Sequence, residues 1–86
     1  MKVVYSKQFL KSATKLQPKI RDKLAERIEL FATNPLDARL RNHPLHTPYK
    51  GSYSINITGD YRAIYNLVDD QTALFTHIGT HSQLYK

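Results

Sequence analysis

The apolar period of this 86-residue chain changes once, and that change fixes the class of fold open to it. Between Ser6 and Thr33 hydrophobic residues recur at helical spacing, whereas from Ser52 onward they alternate. A short β-branched run, KVVY at 2–5, precedes the helical part and reads as a first strand. Ser6 is placed to cap a first helix of about ten residues carrying Phe9, Ala13 and Leu16 on one side. Gln17-Pro18 interrupts it, because the residue before proline avoids the helical region and proline suits the first position of a new helix. The spacing of Ile20, Leu24, Ile28 and Phe31 predicts a second helix over Pro18–Thr33, stopped by Asn34-Pro35, and the pair reads as a helix hairpin.

SYSINIT then alternates, with Tyr53, Ile55 and Ile57 on one face and Ser54 and Asn56 on the other. Gly59-Asp60 is a turn signal, YRAIYNLV a second strand, Asp69-Asp70 another turn and TALFTHIG a third strand. The chain therefore predicts an α+β fold: an N-terminal strand, a helix hairpin on one sheet face, an antiparallel meander and a short C-terminal turn. At 86 residues it has room for one core, so residues 1–86 are expected to form a single domain.

Composition narrows the partners. There is no cysteine, which removes disulfide staples and thiolate metal sites. No apolar run approaches a membrane span, and MKVVYSKQFLKS carries no sustained apolar stretch, so no membrane contact or signal peptide is expected and the expected location is cytoplasmic. Thirteen lysines and arginines against seven acids give a formal charge of +6, which favours polyanions. Lys7, Lys11 and Lys15 lie at i, i+4, i+8 on the first helix, either as a solvated face or as a stripe facing phosphates.

Chemistry concentrates in two places. The loop LDARLRNHPLHTPYKG, 36–51, is irregular, basic and longer than most loops in small domains. The closing decapeptide HIGTHSQLYK holds two histidines, a tyrosine and a hydroxyl pair. No predicted helix carries two of the four histidines at i, i+4, since His77 lies in the third meander strand and His81 after it; no serine sits in a nucleophile elbow, and three glycines make no phosphate loop, so no metal and no cofactor are expected. His43, Asp60, Arg62, His81 and Tyr85 do suit cleavage of RNA by its own 2′-OH. Histidines serve as acid and base near neutral pH, arginine matches phosphate oxygens, and tyrosine stacks on an unpaired base. Three of them also have a structural reading: an ion pair for Arg62, a turn residue for Asp60, an extended loop position for His43 before Pro44.

Three segments taken together, HPL at 43–45, GDYRAIY at 59–65 and IGTHSQLY at 78–85, resemble the RelE/ParE superfamily of small bacterial toxins, most closely its YafQ-like branch. The element order is similar too, so the resemblance spans essentially the whole chain. It implies a RelE-like fold and the toxin of a type II toxin–antitoxin pair. The implied activity is that of an endoribonuclease (mRNA interferase) cutting mRNA in the ribosomal A site without a metal. By the same resemblance His81 matches the near-terminal proton-transfer histidine and Tyr85 the aromatic that contacts RNA or aids catalysis. His43 and Asp60 match the histidine of the HPL segment and the aspartate opening the next strand. Arg62 resembles the phosphate-binding arginine and Lys50 a lysine that holds RNA.

Two positions depart from the pattern: Asn56 stands where YafQ-like toxins can carry a further histidine, and Ser54 where they can carry an aspartate. The implied partners are a cognate antitoxin with an acidic wrapping segment, the bacterial ribosome and mRNA, the toxin alone being a monomer. Two rival functions share the scaffold: a ParE-like toxin that inhibits DNA gyrase without hydrolysis, and an inactive relative that only binds its antitoxin.

Overall fold

A computed structural model describes residues 1–85. Its elements are β1 (Lys2–Tyr5), α1 (Lys7–Thr14), α2 (Pro18–Thr33), a 3-10 turn (Ala38–Leu40), β2 (His43–Pro44), β3 (Tyr53–Asn56), β4 (Tyr61–Asp69), β5 (Thr72–Thr80) and α3 (His81–Leu84). The five strands form one sheet in the order β1-β5-β4-β3-β2. Pairing is antiparallel except for β1, which lies parallel to β5 from Lys2 opposite Thr72 to Tyr5 opposite Phe75.

The expected order of strand, two helices and antiparallel meander is therefore observed. Ser6 caps α1 as expected, its Oγ accepting from the Phe9 amide at 3.0 Å. The helix stops at Thr14, two residues before Leu16. Two further features lay outside the sequence reading: β1's parallel seat beside β5, and the two-residue β2, by which the long loop pairs with β3. The SYSINIT strand is shorter than its alternation, since pairing ends at Asn56 and the Thr58 hydroxyl accepts from the Asp60 and Tyr61 amides to close the turn.

The core lies between the helices and one sheet face. Phe9, Leu24, Ile28 and Phe31 meet Ile55, Ile57, Ala63, Tyr65, Ala73, Phe75 and Ile78. Phe31 stands edge-on to both Tyr65 and Phe75, with ring centroids 4.8 and 5.3 Å away, the geometry ring quadrupoles favour. Tyr65 is the polar handle of this cluster: its hydroxyl donates to Asn42 Oδ1 at 2.8 Å, and Asn42 donates onward to the Pro35 carbonyl.

A bulge in β5 decides what the other face presents. Phe75 pairs with Tyr65 and His77 with Ile64, so Thr76 is the extra residue. Without it, alternation from Ala73 and Phe75 would send His77 into the core. With it, Ile78 returns to the core while His77 and Gly79 turn outward, the re-aiming that bulges produce.

Candidate active site

Register alone assembles the outward face. One cross-strand row runs His43, Ser54, Ile64, His77 through β2, β3, β4 and β5, and the next runs Asn56, Arg62, Gly79. Neighbouring strands lie about 4.8 Å apart, so each row brings its side chains within reach of one another.

The C-terminal segment folds over these rows. Thr80 and Gln83 form a capping box: Thr80 Oγ1 accepts from the Gln83 amide at 3.2 Å, and Gln83 Oε1 accepts from the Thr80 amide at 2.8 Å. The His81 amide donates to the Asp60 carbonyl and the Tyr85 amide to the His81 carbonyl, so the turn is tied to the β3–β4 loop. Tyr85 then reaches back across the sheet, and its hydroxyl donates to Ser54 Oγ at 3.1 Å. Gly79 permits this closure. A Cβ there would stand 2.9 Å from Gln83 Oε1 and 3.4 Å from Leu84 Cδ2.

A cleft of about 330 Å³ results, lined by Arg41, His43, Asn56, Arg62, His81 and Tyr85. Four of the five residues expected to act on RNA meet here from three places, β2, β4 and the C-terminal turn of α3. The fifth, Asp60, is exposed in the β3–β4 turn; it carries His81 on its backbone carbonyl, and its side chain does not line the cleft. Lys50 is exposed at the tip of the loop before β3. Lys7 and Lys11 are exposed on α1 away from the cleft, and Lys15 borders a separate hollow with Tyr61 and Gln83.

Hydrogen bonds prepare the side chains. His43 Nδ1 lies 2.7 Å from the Arg41 carbonyl. A carbonyl oxygen only accepts, so Nδ1 carries the hydrogen and, in the neutral ring, Nε2 holds the lone pair. Arg62 spends Nη1 on the carbonyls of Thr58, Gly59 and Tyr61 at 3.0–3.2 Å. Among the described residues no carboxylate pairs with it, and the free edge of its fork, Nε and Nη2, remains for an anion. The His81 ring stands edge-on to Tyr85 at 4.7 Å, Tyr85 to Tyr49 at 6.0 Å and Tyr49 to His77 at 5.5 Å.

Three neighbours were not read as site residues in the sequence. Arg41 enters the cleft from a left-handed backbone, φ 46°, at the end of the 3-10 turn, and a non-glycine residue there has no local signature. Tyr49 and His46 line an adjoining hollow of about 350 Å³ that shares His43, His81 and Tyr85 with the cleft. Their one signal was the length and basicity of the loop that carries them. The two departures separate cleanly: Asn56 lines the cleft opposite Arg62, whereas Ser54 is fully buried beneath Tyr85.

Known proteins share this fold. The family model for the bacterial toxin of type II toxin–antitoxin systems, YafQ, matches residues 1–86. The mRNA interferase toxin YafQ of Escherichia coli (strain B / BL21-DE3) is 33% identical over 87 residues, covering 96% of this chain and 94% of that protein. The crystal structure of YafQ from E. coli strain BL21(DE3) superposes with a TM-score of 0.81 at 31% identity, over 98% of this chain and 97% of that one. In the crystal structure of the E. coli DinJ–YafQ toxin–antitoxin complex the similar chain gives 0.79 at 31% identity, over 98% and 96%.

Proposed function

The chain belongs to the YafQ family of endoribonuclease toxins from type II toxin–antitoxin systems, and on that premise we propose that it cuts mRNA in the ribosomal A site through the cleft between β2, β4 and α3. The observation that supports this reading most is the convergence of His43, Arg62, His81 and Tyr85 on one cleft. In the reaction, the substrate 2′-oxygen attacks the adjacent phosphorus as its proton passes to His43 Nε2. Arg62, with Arg41 beside it, neutralises the charge gathering on the non-bridging oxygens. The bond from phosphorus to the 5′-oxygen breaks, and His81 supplies the proton that oxygen needs. A 2′,3′-cyclic phosphate and a 5′-hydroxyl are left.

Tyr85 positions a flanking base and braces the His81 ring. Asn56 holds a hydroxyl or phosphate oxygen where relatives can exchange a proton. Asp60 serves as the mount of His81, and Lys50 holds the strand as it leaves the aromatic hollow. Lys7, Lys11 and Lys15 meet ribosomal RNA. Residues 1–86 act as one toxin domain in the cytoplasm, a monomer until an acidic segment of the cognate antitoxin wraps it.

The test is a reconstituted translation system with a defined mRNA, the new 5′ ends mapped by primer extension. The expected result is codon-phased cuts that need both ribosomes and His81. Cuts on naked RNA would replace the ribosome-dependent reading with a free ribonuclease. Growth arrest without cuts would sink the nuclease reading and direct attention to gyrase.

A further inference from the structure

Beside the cleft, across Arg41, Asn56 and Arg62, opens a second hollow of about 560 Å³. Its cations come from three places in the chain: Lys23 and Arg27 from α2, Arg39 and Arg41 from the 3-10 turn, and Arg62 from β4. Asp37 takes two side-chain hydrogen bonds from Arg39 at 2.9 Å, and Glu26 lies 3.4 Å from Lys23. Arg27, Arg41 and Arg62 have no acidic partner among the described residues. Arg27 Nη1 is buried and has no hydrogen-bond acceptor. A buried guanidinium donor left unpaired costs several times what a satisfied hydrogen bond contributes, and three uncompensated cations around one hollow repel one another. An anion in the hollow removes the second cost.

We propose that this hollow is a phosphate subsite that seats a second phosphate of the same RNA strand, next to the one cleaved. The inference rests on the function proposed above. Forked arginine donors match phosphodiester oxygens in pairs, which favours RNA over a peptide carboxylate. Continuity favours the same strand: Arg41 and Arg62 line both spaces, so two phosphates joined by one nucleoside meet one connected basic wall. Binding there fixes the strand's direction across His43 and His81 before chemistry begins.

The test needs neither ribosomes nor turnover. RNA oligonucleotides of two, three and four residues, 2′-deoxy at every attacking position, are titrated against the protein by fluorescence anisotropy. In the wild type the second phosphate raises affinity about tenfold; in Arg27→Gln that step is lost, with the salt slope lower by about 0.7. Lys23→Gln, at an exposed ammonium, weakens the same step and decides the matter should Arg27→Gln not fold. A step that survives in both variants overturns the subsite. A step that survives while affinity for empty ribosomes falls assigns the hollow to ribosomal RNA and overturns the same-strand placement. Loss confined to binding of a poly-glutamate peptide assigns it to an acidic protein segment and also overturns it. Because the oligonucleotides are not cut, failure of the ribosome-dependent reading would show separately, in the primer-extension assay.

Discussion

Tyr85 Oη donates to Ser54 Oγ across 31 residues of sequence, at 3.1 Å and over a serine with no exposed surface. This bond is what holds a terminal segment, which would otherwise fray, flat against the sheet. Tyr85→Phe keeps the ring against His81 and strands the buried hydroxyl, so chemical denaturation should read a loss of about 1 kcal/mol with cleavage lowered only a few-fold. Tyr85→Ala removes ring and anchor together, and cleavage should fall at least tenfold further. Equal activity losses would show that the hydroxyl itself takes part in the chemistry.

The Arg41 carbonyl leaves His43 with its lone pair on Nε2, which suits it to accept a proton, while in the reaction proposed above His81 donates one. Either His→Ala change should lower cleavage by about 10²–10⁴. A substrate whose 5′-oxygen is replaced by sulfur needs no protonated leaving group. It should restore His81→Ala and not His43→Ala; the reverse pattern would exchange the two roles.

Arg41 sits at φ 46°, where a side chain costs about 1–2 kcal/mol and glycine is free of that cost. Arg41→Gly should therefore hold stability within about 1 kcal/mol, the relief offset by glycine's greater freedom when unfolded, while RNA affinity drops about tenfold. Arg41→Val, β-branched in the same backbone, should lose stability as well. Denaturant midpoints and anisotropy titrations read the two effects separately.

Burial raises the Tyr65 phenol above its ordinary value, with the Asn42 hydrogen bond acting in the opposite sense. A raised pKa means that the folded state holds the proton more tightly than the unfolded state. The contribution is thus complete below the unfolded value of about 10 and is lost as pH rises through the folded one. Urea midpoints should fall above pH 10 in the wild type and fall less in Tyr65→Phe. Parallel curves would show that this phenol does not govern alkaline unfolding.

Gly79 lies under the capping box of α3, and the nearest atom to a new Cβ, Gln83 Oε1, is already accepting from the Thr80 amide. Gly79→Ala must break that bond or lift the turn. Loss of a capping interaction costs about 1 kcal/mol, but displacement of His81 should cost far more in activity, at least tenfold in kcat, with less effect on RNA affinity. Activity equal to wild type would show that the turn tolerates the shift.

Much of this was legible in the chain because it rests on local chemistry. Ser6, Gln17-Pro18 and Asn34-Pro35 bound the helices, and alternation placed Ser54 and Asn56 on the face opposite Tyr53, Ile55 and Ile57. What escaped depends on contacts distant in sequence. Nothing near KVVY specifies a parallel partner seventy residues on, and nothing near Ser54 announces Tyr85. The β5 bulge did leave a trace, since Phe75 and Ile78 are three apart where strict alternation would give two. Arg41 left none: its backbone is set by how the 3-10 turn enters β2.

β5 joins the sheet's two parts, with β1 on one side and β4, β3 and β2 on the other. Synthesis runs from the N-terminus, so β1 waits without a partner until Thr72–Thr80 has been made, and His81 and Tyr85 follow later still. The nascent chain therefore holds α1, α2 and four strands while lacking the proposed catalytic cleft. Such dependence on distant pairing makes for slow, all-or-none assembly. Under the action on translating ribosomes proposed above, the protein is harmless to the one producing it until Tyr85, beyond its last strand, has been made.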